Sequence, residues 1–469
     1  GKLAQKSKQT AIVEYSDVNV AKRMHVGHLR GTIIGAALAN VLEFLGYKTI
    51  RWNYIGDWGT QFGKLIVAYQ RWGSRQAVDR APIETLNALY VRFHEELKSD
   101  PSLEEAGREE FRKLEAGDAQ NRRLWQWFRT ESLKDFAKLY KLLGVSFTLT
   151  IGESFFEKDL PGIVTELLER GIAQRSEGAV IVPQAKTGVP DALVRKSDGA
   201  SLYLTRDLAN IRYRLKKYHP AKLLYVVGNE QSLHFEQVFA IAKLLGIEPQ
   251  GAVHVKHGLV LGEDQKKLKT RAGTGIILDA VIAEAIERAE RIVGEKRPDL
   301  SKSERAKIAR AVGIAALKYN DLSQNRVSDI AFDWDKMLSF DGNSAPYLMY
   351  TYARLRSILR KPRKASPRGA ARLGKLNVAA FQKPELDLVF ALSQFPDMLA
   401  RVAQDYFPNH LADYLYHLAG AANAFYHTQP VLKAEPKALR DARLHLISAV
   451  SQTLKTGLRL LGIPVLERM

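Results

Sequence analysis

The first fifty-five residues alternate apolar and polar positions in a way that predicts a strand, a helix and a second strand. Residues 11–15 (AIVEY) form a short run rich in β-branched side chains. In residues 27–45, apolar side chains recur at the three- and four-residue spacing of a helix. Residues 48–54 (KTIRWNY) again have the pattern of a strand. This order is typical of the beginning of a parallel α/β sheet.

The later pattern predicts that this sheet is split and followed by a helical domain. Residues 76–150 are charged and have helical periodicity, which predicts an insertion. Strand-like runs return at 178–183 (GAVIVP), 222–228 (KLLYVVG) and 254–262 (HVKHGLVLG), alternating with helices at 206–217 and 233–245. We therefore predict an α/β protein with a split doubly wound parallel sheet, and an all-α helical bundle after about residue 278. The predicted divisions are a first half of the catalytic domain (1–75), an inserted region (76–200), a second half (201–330) and a helical domain (331–469).

Composition narrows the class of protein. The chain has 469 residues, of which 46% are hydrophobic, enough to bury more than one core. It has no cysteine, which excludes disulfides, thiolate zinc sites and cysteine nucleophiles. No apolar run approaches the roughly 18 residues of a membrane span, and the first ten residues lack the apolar core of a signal peptide. These features predict a cytoplasmic protein with no membrane partner.

The charge distribution favours a polyanionic partner. The formal net charge is +19, and residues 351–469 carry 18 basic and 8 acidic side chains. Between Arg354 and Lys375 there are nine basic residues and no acid, in a stretch that includes the Pro- and Gly-containing loop 361–375. Such a run can bind nucleic-acid phosphates or can be a solvated linker, and the run alone does not decide between them.

Two short motifs carry candidate chemistry. In the first, His25 and His28 flank Gly27 where the first strand meets the first helix, so backbone and imidazoles could hold a triphosphate at a helix N-terminus. In the second, Lys267, Lys269 and Arg271 follow the strand-like HGLVLG run, and cations there could close over a pyrophosphate. Taken singly, each motif is better explained by ordinary surface residues. Together and in this order, an HxGH motif and a KxxT-type loop resemble the two signatures of class I aminoacyl-tRNA synthetases.

A longer set of motifs along the chain resembles a single family. The stretch from VEYSDVNVAKRMHVGHLRGT to DWGTQFGKL, followed by GESFF, SLYLTRDLA, YVVGNEQSLHF, LVLGEDQKKLKTRAG and the closing LLGIPVLERM, resembles the arginyl-tRNA synthetases from about residue 11 to residue 469. The resemblance implies an enzyme that joins L-arginine to tRNA(Arg) through an arginyl-adenylate. It implies ATP with Mg²⁺ as substrate, no protein-bound metal and a monomer.

The resemblance also implies roles for individual residues. Tyr203 and Asp207 are four apart, so on a helix both would face one pocket and hold the arginine guanidinium. Glu14 and Gln231 would line the same site, Asn19 and His25 would contact the amino-acid backbone groups, and Glu153 is a weaker candidate. The resemblance implies ATP contacts at His25, Gly27, His28, Gly228 and Lys267. It implies catalytic roles for Lys22, His25, His28, Lys267, Lys269 and Arg271. It implies tRNA contacts at Arg354, Arg356, Arg440 and Arg443.

The chain departs from the family pattern at several places. Asp17-Val18-Asn19 stands where the family usually has Ser-Pro-Asn, Gly31 replaces a Ser, and Ala36 replaces a frequent Asp. The signature loop has Thr270 at the second lysine position, and Lys22 is the lysine that would compensate. We also expect the family's additional N-terminal domain to be missing. These departures leave two alternatives open: a catalytically silent paralogue that binds tRNA or arginine, and a class I nucleotidyl-transferring enzyme without a tRNA partner.

Overall fold

The central element is a five-stranded parallel sheet whose strand order is β3-β2-β1-β7-β8. The computed structural model describes residues 9–197, 199, 202–248, 251–261, 276–365 and 381–469, with only the backbone described at 361–365. The five strands are β1 (Thr10–Glu14), β2 (Lys48–Ile55), β3 (Leu149–Gly152), β7 (Lys222–Tyr225) and β8 (Ala252–His254). The order confirms the predicted doubly wound sheet.

The first β-α-β unit forms where the apolar pattern predicted it. Helix α1 spans Val26–Phe44 and connects β1 to β2. It is buried at 14 of its 19 positions, because one side covers the sheet and the other packs against helices of the C-terminal bundle. The Asn40 side-chain amide donates a hydrogen bond to the carbonyl of Leu460 at 3.0 Å, which ties α1 directly to the end of the chain.

The helical insertion lies between two neighbouring strands. Its five helices are α2 (Thr60–Trp72), α3 (Arg75–Arg80), α4 (Pro82–Glu96), α5 (Ser102–Glu115) and α6 (Ala119–Leu143). After α6 the chain returns to the sheet as β3, which pairs with β2. The predicted inserted region 76–200 therefore contains a strand of the main sheet. The four residues of β3 are too few to produce a clear periodic pattern.

One predicted strand lies in a different sheet. The GAVIVP run forms β5 (Ala179–Val182), which pairs antiparallel with β4 (Gln174–Ser176) and β6 (Ala192–Arg195) in a separate three-stranded sheet. The expectation that this run belongs to the doubly wound sheet is wrong. Strand propensity does not specify the partner strand, and here the two-residue turn between β4 and β5 favours local antiparallel pairing. Helices α7 (Leu160–Glu169) and α8 (Gln184–Thr187) accompany this small sheet.

The second half of the fold returns to the main sheet. Helix α9 (Tyr203–Tyr218) leads into β7, and α10 (Ser232–Leu244) connects β7 to β8. Strand β1 therefore lies between β2 and β7, and the connections that follow β1 and β7 leave the sheet in opposite directions. A crevice at the carboxyl ends of such strands is the usual ligand site of an open α/β sheet.

The remainder of the described chain is almost entirely helical, as predicted. Strand β9 (Val260–Leu261) pairs in parallel with β10 (Ile330–Ala331) outside the main sheet. The helices are α11 (Leu278–Lys296), α12 (Lys302–Leu322), α13 (Trp334–Leu338), α14 (Ala345–Ala365), α15 (Lys383–Ser393), α16 (Phe395–Asp405), α17 (Asn409–Thr428) and α18 (Lys437–Leu460). One hydrophobic core continues from the α1 face of the sheet into this bundle. Among the described residues, no helix is long and apolar enough to cross a membrane.

Candidate active site

A cavity of about 450 Å³ at the carboxyl ends of β1 and β7 is the candidate active site. Its walls come from three parts of the sequence: the loop after β1 with the start of α1, the loop after β7, and the segment that precedes and begins β9. The lining includes Ser16, Asp17, Asn19, His25, Gly27, His28, Gly31, Gly228, Glu230, Gln231, His257 and Val260. The topology therefore brings together the HxGH motif and residues more than two hundred positions away.

The HxGH motif forms the N-terminus of α1. His25 is the N-cap residue, and its Nδ1 accepts a hydrogen bond from the Gly27 backbone N–H at 3.1 Å. The His25 backbone N–H in turn donates to Nδ1 of His28 at 3.1 Å, so the two imidazoles reciprocally cap the helix. A Cβ at Gly27 would lie 2.9 Å from the His25 ring, so a larger residue would displace the cap. The motif thus directs a helix N-terminus, a favourable place for anions, into the cavity.

Two histidines of the cavity, His28 and His257, have pKa values lowered far below physiological pH. Burial, with a smaller effect from His25, lowers the pKa of His28 to about 3. Burial also lowers the pKa of His257 to about 4. A Cβ at Gly31 would lie 3.2 Å from Nε2 of His257 and 3.3 Å from the carbonyl of Val226, which explains why a glycine fits where the family usually has Ser. The rings therefore act through hydrogen bonds rather than through positive charge.

The described residues on either side of the second motif lie beside the HxGH motif. Lys267, Lys269 and Arg271 lie outside the described residues, which stop at Leu261 and resume at Ile276. The Val26 backbone N–H donates to the Ile276 carbonyl at 2.9 Å, and Leu278 donates to Met24 at 3.0 Å. On the other flank, Val260 lines the cavity. The described ends of this loop are therefore anchored beside the HxGH helix.

Arg30 holds these parts together. Its side chain is fully buried and ion-pairs with Asp321 at 3.2 Å. The same guanidinium donates to the carbonyls of Leu259, Ser328 and Arg326 at 3.2, 2.8 and 3.2 Å. One side chain of α1 thus joins the segments that lead into β9 and β10, as the planar fork of an arginine allows.

A second group of residues lies deeper, between the sheet and α9. Glu14, at the end of β1, is buried and forms an ion pair with Arg214 of α9. Burial raises the pKa of Glu14, and the neighbouring Arg214 opposes this shift. Asp207 contacts Nε2 of His234 at 2.6 Å through a carboxylate oxygen. Both acids predicted to recognise a guanidinium therefore already have partners within the chain, and their substrate contacts stay a prediction.

The other predicted arginine contacts are divided between two cavities. Asn19, His25 and Gln231 line the HxGH cavity. Tyr203, 61% exposed, lines a neighbouring cavity of about 260 Å³ with Trp58, Lys64, Tyr90 and Arg206. Tyr203 and Asp207 do lie on one helix, α9. Asp207 contacts His234, however, and neither cavity lining includes it, so a pocket shared by the two side chains stays a prediction. Glu153 is buried, and burial raises its pKa to about 8 against the opposing effect of Arg206.

Lys22 does not line the HxGH cavity in the described structure. Its ammonium lies 5.4 Å from the centre of the Tyr90 ring in the helical insertion. Burial lowers the pKa of the Lys22 side chain. The role of Lys22 in place of a second signature lysine stays a prediction. To contact a bound triphosphate, the ammonium group would have to leave the Tyr90 ring.

The predicted tRNA contacts differ in their surroundings. The Arg354 guanidinium lies 5.3 Å from the Tyr350 ring and 5.9 Å from the Tyr426 ring, and both tyrosines are exposed. Arg356 pairs with Glu467 at 2.8 Å, and Arg440 lies 3.7 Å from Asp441.

Arg443 requires a correction. It is only 4% exposed, and it donates to Glu385, Gln429 and the carbonyl of Pro430 inside the bundle. The predicted tRNA contact of Arg443 is wrong, because its donors are already bound within the protein.

Several residues of the site were not singled out by their sequence pattern. Asp17 was recognised only as a departure from the family pattern, although it lines the cavity. No motif signal marked Arg214, His234 or His257. Arg214 and His234 contact acids from other elements, Glu14 and Asp207, and His257 lines the cavity. One signal was available for Arg214: it lies seven residues after Asp207, on the same face of α9.

The parallel sheet, the HxGH cap at the end of β1 and the anchored loop beside it define a class I aminoacyl-tRNA synthetase catalytic domain. The family model for "tRNA synthetases class I (R), catalytic domain" matches residues 1–334, and that for the "DALR anticodon binding domain" matches residues 348–469. The chain belongs to the arginyl-tRNA synthetase family.

Relatives and solved structures agree with this assignment. An arginine–tRNA ligase of Fusobacterium nucleatum is 42% identical over 466 residues, covering 98% of this chain and 80% of the relative. One of Halothermothrix orenii is 41% identical over 98% of this chain and 80% of its own length. The arginyl-tRNA synthetase structure of Thermus thermophilus superposes with a TM-score of 0.83 at 26% identity, covering 100% of this chain and 84% of that one. That of Plasmodium falciparum gives 0.82 at 28% identity, covering 100% and 78%.

Proposed function

We propose that the HxGH cavity is where this arginine–tRNA ligase activates L-arginine with ATP. The observation that carries the proposal is the meeting of the HxGH helix cap with both described flanks of the signature loop around one cavity. The arginine carboxylate attacks the α-phosphorus of ATP, releases pyrophosphate and forms arginyl-adenylate. The 3′-terminal ribose hydroxyl of tRNA(Arg) then takes the arginyl group and releases AMP.

Positioning and electrostatics supply the catalysis, since no covalent intermediate with the protein is required. His25, Gly27, His28 and Gly228 border the cavity and contact the nucleotide. Lys267, Lys269 and Arg271 supply positive charge at the pyrophosphate, which the neutral His28 does not. Mg²⁺ enters with ATP as part of the substrate.

The guanidinium of arginine binds on the α9 side of the site. Asp207, Glu14 and Gln231 supply the acceptors that five guanidinium donors require. Tyr203 borders the adjoining cavity, and the buried Glu153 acts electrostatically on Tyr203. Asn19 and His25 contact the backbone groups of the amino acid. Support comes from the concentration of buried acids around β1 and α9, where Arg214 and Arg206 are the neighbouring cations.

The helical domain binds tRNA(Arg). Arg354 between Tyr350 and Tyr426 offers a phosphate contact next to two exposed aromatic rings, a combination suited to unstacked nucleotides. Arg356 and Arg440 are weaker contacts, because each has an acidic neighbour. We further propose that the protein acts as a monomer in the cytoplasm, where tRNA and ATP are available.

The test is arginine-dependent pyrophosphate exchange with and without tRNA(Arg). The proposal expects exchange that rises with tRNA, because activation in this family generally depends on bound tRNA. No exchange at saturating tRNA, together with retained tRNA or arginine binding, would establish the silent paralogue. Undiminished exchange without tRNA, and no charging when tRNA is supplied, would establish a class I enzyme without a tRNA partner.

A further inference from the structure

Residues 326–329 pack against one wall of the HxGH cavity, the segment 257–260. The Gly258 backbone N–H donates a hydrogen bond to the Arg326 carbonyl at 2.9 Å. A Cβ at Gly258 would lie 2.5 Å from the Ser328 backbone, so the two segments approach as closely as a glycine allows. Because the segments are in direct contact, a displacement of residues 326–329 displaces the cavity wall as well.

The Arg326 side chain connects this wall to the helical domain. It is buried, and its guanidinium donates to the Lys256 carbonyl at 2.6 Å, immediately before the wall. The same guanidinium donates to the carbonyls of Tyr406 and Asp405 at 2.8 and 3.4 Å, at the end of α16, and lies 4.1 Å from the centre of the Phe407 ring. Carbonyls at a helix C-terminus have no partner within the helix and carry partial negative charge, so a buried cation stabilises them.

These contacts cross from one domain to the other. Arg326 belongs to the catalytic domain, and α16 belongs to the anticodon-binding domain. The wall in turn reaches the nucleotide side of the site, because His257 pairs with Gly228, one of the proposed ATP contacts. Arg326 therefore stands between the helical domain and the ATP contacts, although the described lining of the cavity does not include it.

We propose that Arg326 is a positioning residue for adenylate formation, through which the end of α16 sets the position of the cavity wall. The inference rests on the proposed function and assigns to it a residue that lies outside the cavity. A guanidinium with three carbonyl partners holds both segments in one geometry, as the planar fork of an arginine allows. Small displacements near reacting groups lower rates by large factors, so loss of this contact should affect the reaction of ATP most.

Three substitutions weaken the connection to different extents. Arg326→Met removes all the guanidinium contacts, and Arg326→Lys keeps a cation with fewer donors and a different geometry. Phe407→Leu leaves Arg326 intact and removes only the aromatic ring on the helical-domain side. Lys222→Met is the matched control. Lys222 donates to the Tyr406 hydroxyl at 2.8 Å and so contacts the same end of α16, but it begins β7 at the end of the strand opposite the cavity.

The experiment compares ATP with the other two substrates in the full chain, below the unfolding transition of each variant. Dissociation constants come from equilibrium dialysis for ATP with Mg²⁺, from calorimetry for L-arginine and from filter binding for tRNA(Arg). Pyrophosphate exchange at saturating tRNA gives kcat/KM for ATP. We expect Arg326→Met to lower this kcat/KM by about 10- to 100-fold and to raise the ATP dissociation constant, while the arginine and tRNA constants change by less than about twofold.

The remaining variants order the effect. Arg326→Lys should restore part of the loss, Phe407→Leu should shift the ATP values in the same direction by less, and Lys222→Met should leave them unchanged. Wild-type ATP values in both Arg326 variants would overturn the inference. An equal loss for ATP, arginine and tRNA would also overturn it, by assigning Arg326 a general structural role.

A loss in Lys222→Met as large as that in Arg326→Met would likewise contradict the inference, because any contact at the end of α16 would then have the same effect. If the wild-type chain binds ATP but shows no exchange at saturating tRNA, the proposed function fails. The ATP dissociation constants of the variants still test Arg326 in that case, so the two failures are distinguishable.

Discussion

The proposed active site has a nucleotide side, at the HxGH cavity, and an amino-acid side behind it, and the two sides are built by different physical means. On the nucleotide side, the groups are a helix N-terminus, glycines that allow close approach, and histidines held neutral by burial. On the amino-acid side, the groups are carboxylates with partners inside the chain: the buried Glu14 forms an ion pair with Arg214, and Asp207 contacts His234. The nucleotide side offers donors on the backbone, while the amino-acid side offers fixed charge.

The difference follows from the two ligands. A triphosphate is large, highly charged and accompanied by Mg²⁺, so rigid backbone donors and a helix terminus are sufficient to orient it. A guanidinium is a weakly hydrated cation whose recognition needs acceptors in fixed positions. Buried carboxylates are costly unless partners hold them, and Arg214 performs this function for Glu14. We therefore expect substitutions on the amino-acid side to change arginine binding and the free energy of unfolding. Substitutions on the nucleotide side should change mainly the rate of adenylate formation.

The largest effect is expected for Arg214→Met. This substitution leaves Glu14 buried without its cation, and the free energy of unfolding should fall by about 3 to 5 kcal/mol in urea titrations. The deficit should be smaller at pH 5 than at pH 8, because burial already raises the pKa of Glu14 and a protonated Glu14 needs no cation. Arg212→Met on the same helix removes a partly exposed pair with Glu166 and should cost less than about 1 kcal/mol. Equal losses in the two variants would contradict the comparison.

Asp207→Asn should weaken L-arginine binding by about 2 to 5 kcal/mol, because it removes a charge-assisted partner of the guanidinium. ATP affinity in the same variant, measured by equilibrium dialysis, should change little. His234→Asn removes the other half of the 2.6 Å contact while the carboxylate remains, so its effect on arginine should be smaller. An Asp207→Asn variant with normal arginine affinity would exclude Asp207 from the site.

His28→Ala should lower the rate of adenylate formation by about 100-fold and leave the arginine dissociation constant nearly unchanged. Single-turnover measurements with saturating tRNA separate the two quantities. Since the pKa of His28 is about 3, its ionisation should produce no inflection in the pH–rate profile between pH 6 and pH 9. A wild-type inflection that disappears in His28→Ala would show that the imidazole acts as a cation instead.

The smallest effect concerns tRNA association, which lies outside both sides of the cavity. Arg354→Ala should lower the salt dependence of tRNA binding by roughly one unit of slope, as expected for one lost phosphate contact. Arg356→Ala should lower it by less than half of that, because Glu467 already holds the guanidinium at 2.8 Å. Filter binding between low and moderate salt measures both slopes. If neither variant changes the slope, this face of α14 does not contact the tRNA backbone.

Parts of the fold differ in how well the pattern of apolar and polar residues predicts them. The apolar periodicity of residues 11–54 predicted β1, α1 and β2 closely, because each element buries a continuous face with its own period. The GAVIVP run was correctly predicted as a strand but assigned to the wrong sheet, since periodicity does not identify a partner strand. The predicted residues that are neighbours in sequence, as in the HxGH motif, line one cavity together.

The sequence by itself determined the class of fold, the helix start at the HxGH motif and the family, because each depends on local spacing or on the order of motifs. Only the tertiary structure decided which charges meet. It paired Glu14 with Arg214 across 200 positions, placed Arg443 inside the bundle and brought Asp17 to the cavity wall. Pairing and burial of charged groups depend on contacts between distant segments and on the loss of water around them. Neither is contained in the local periodicity of a chain.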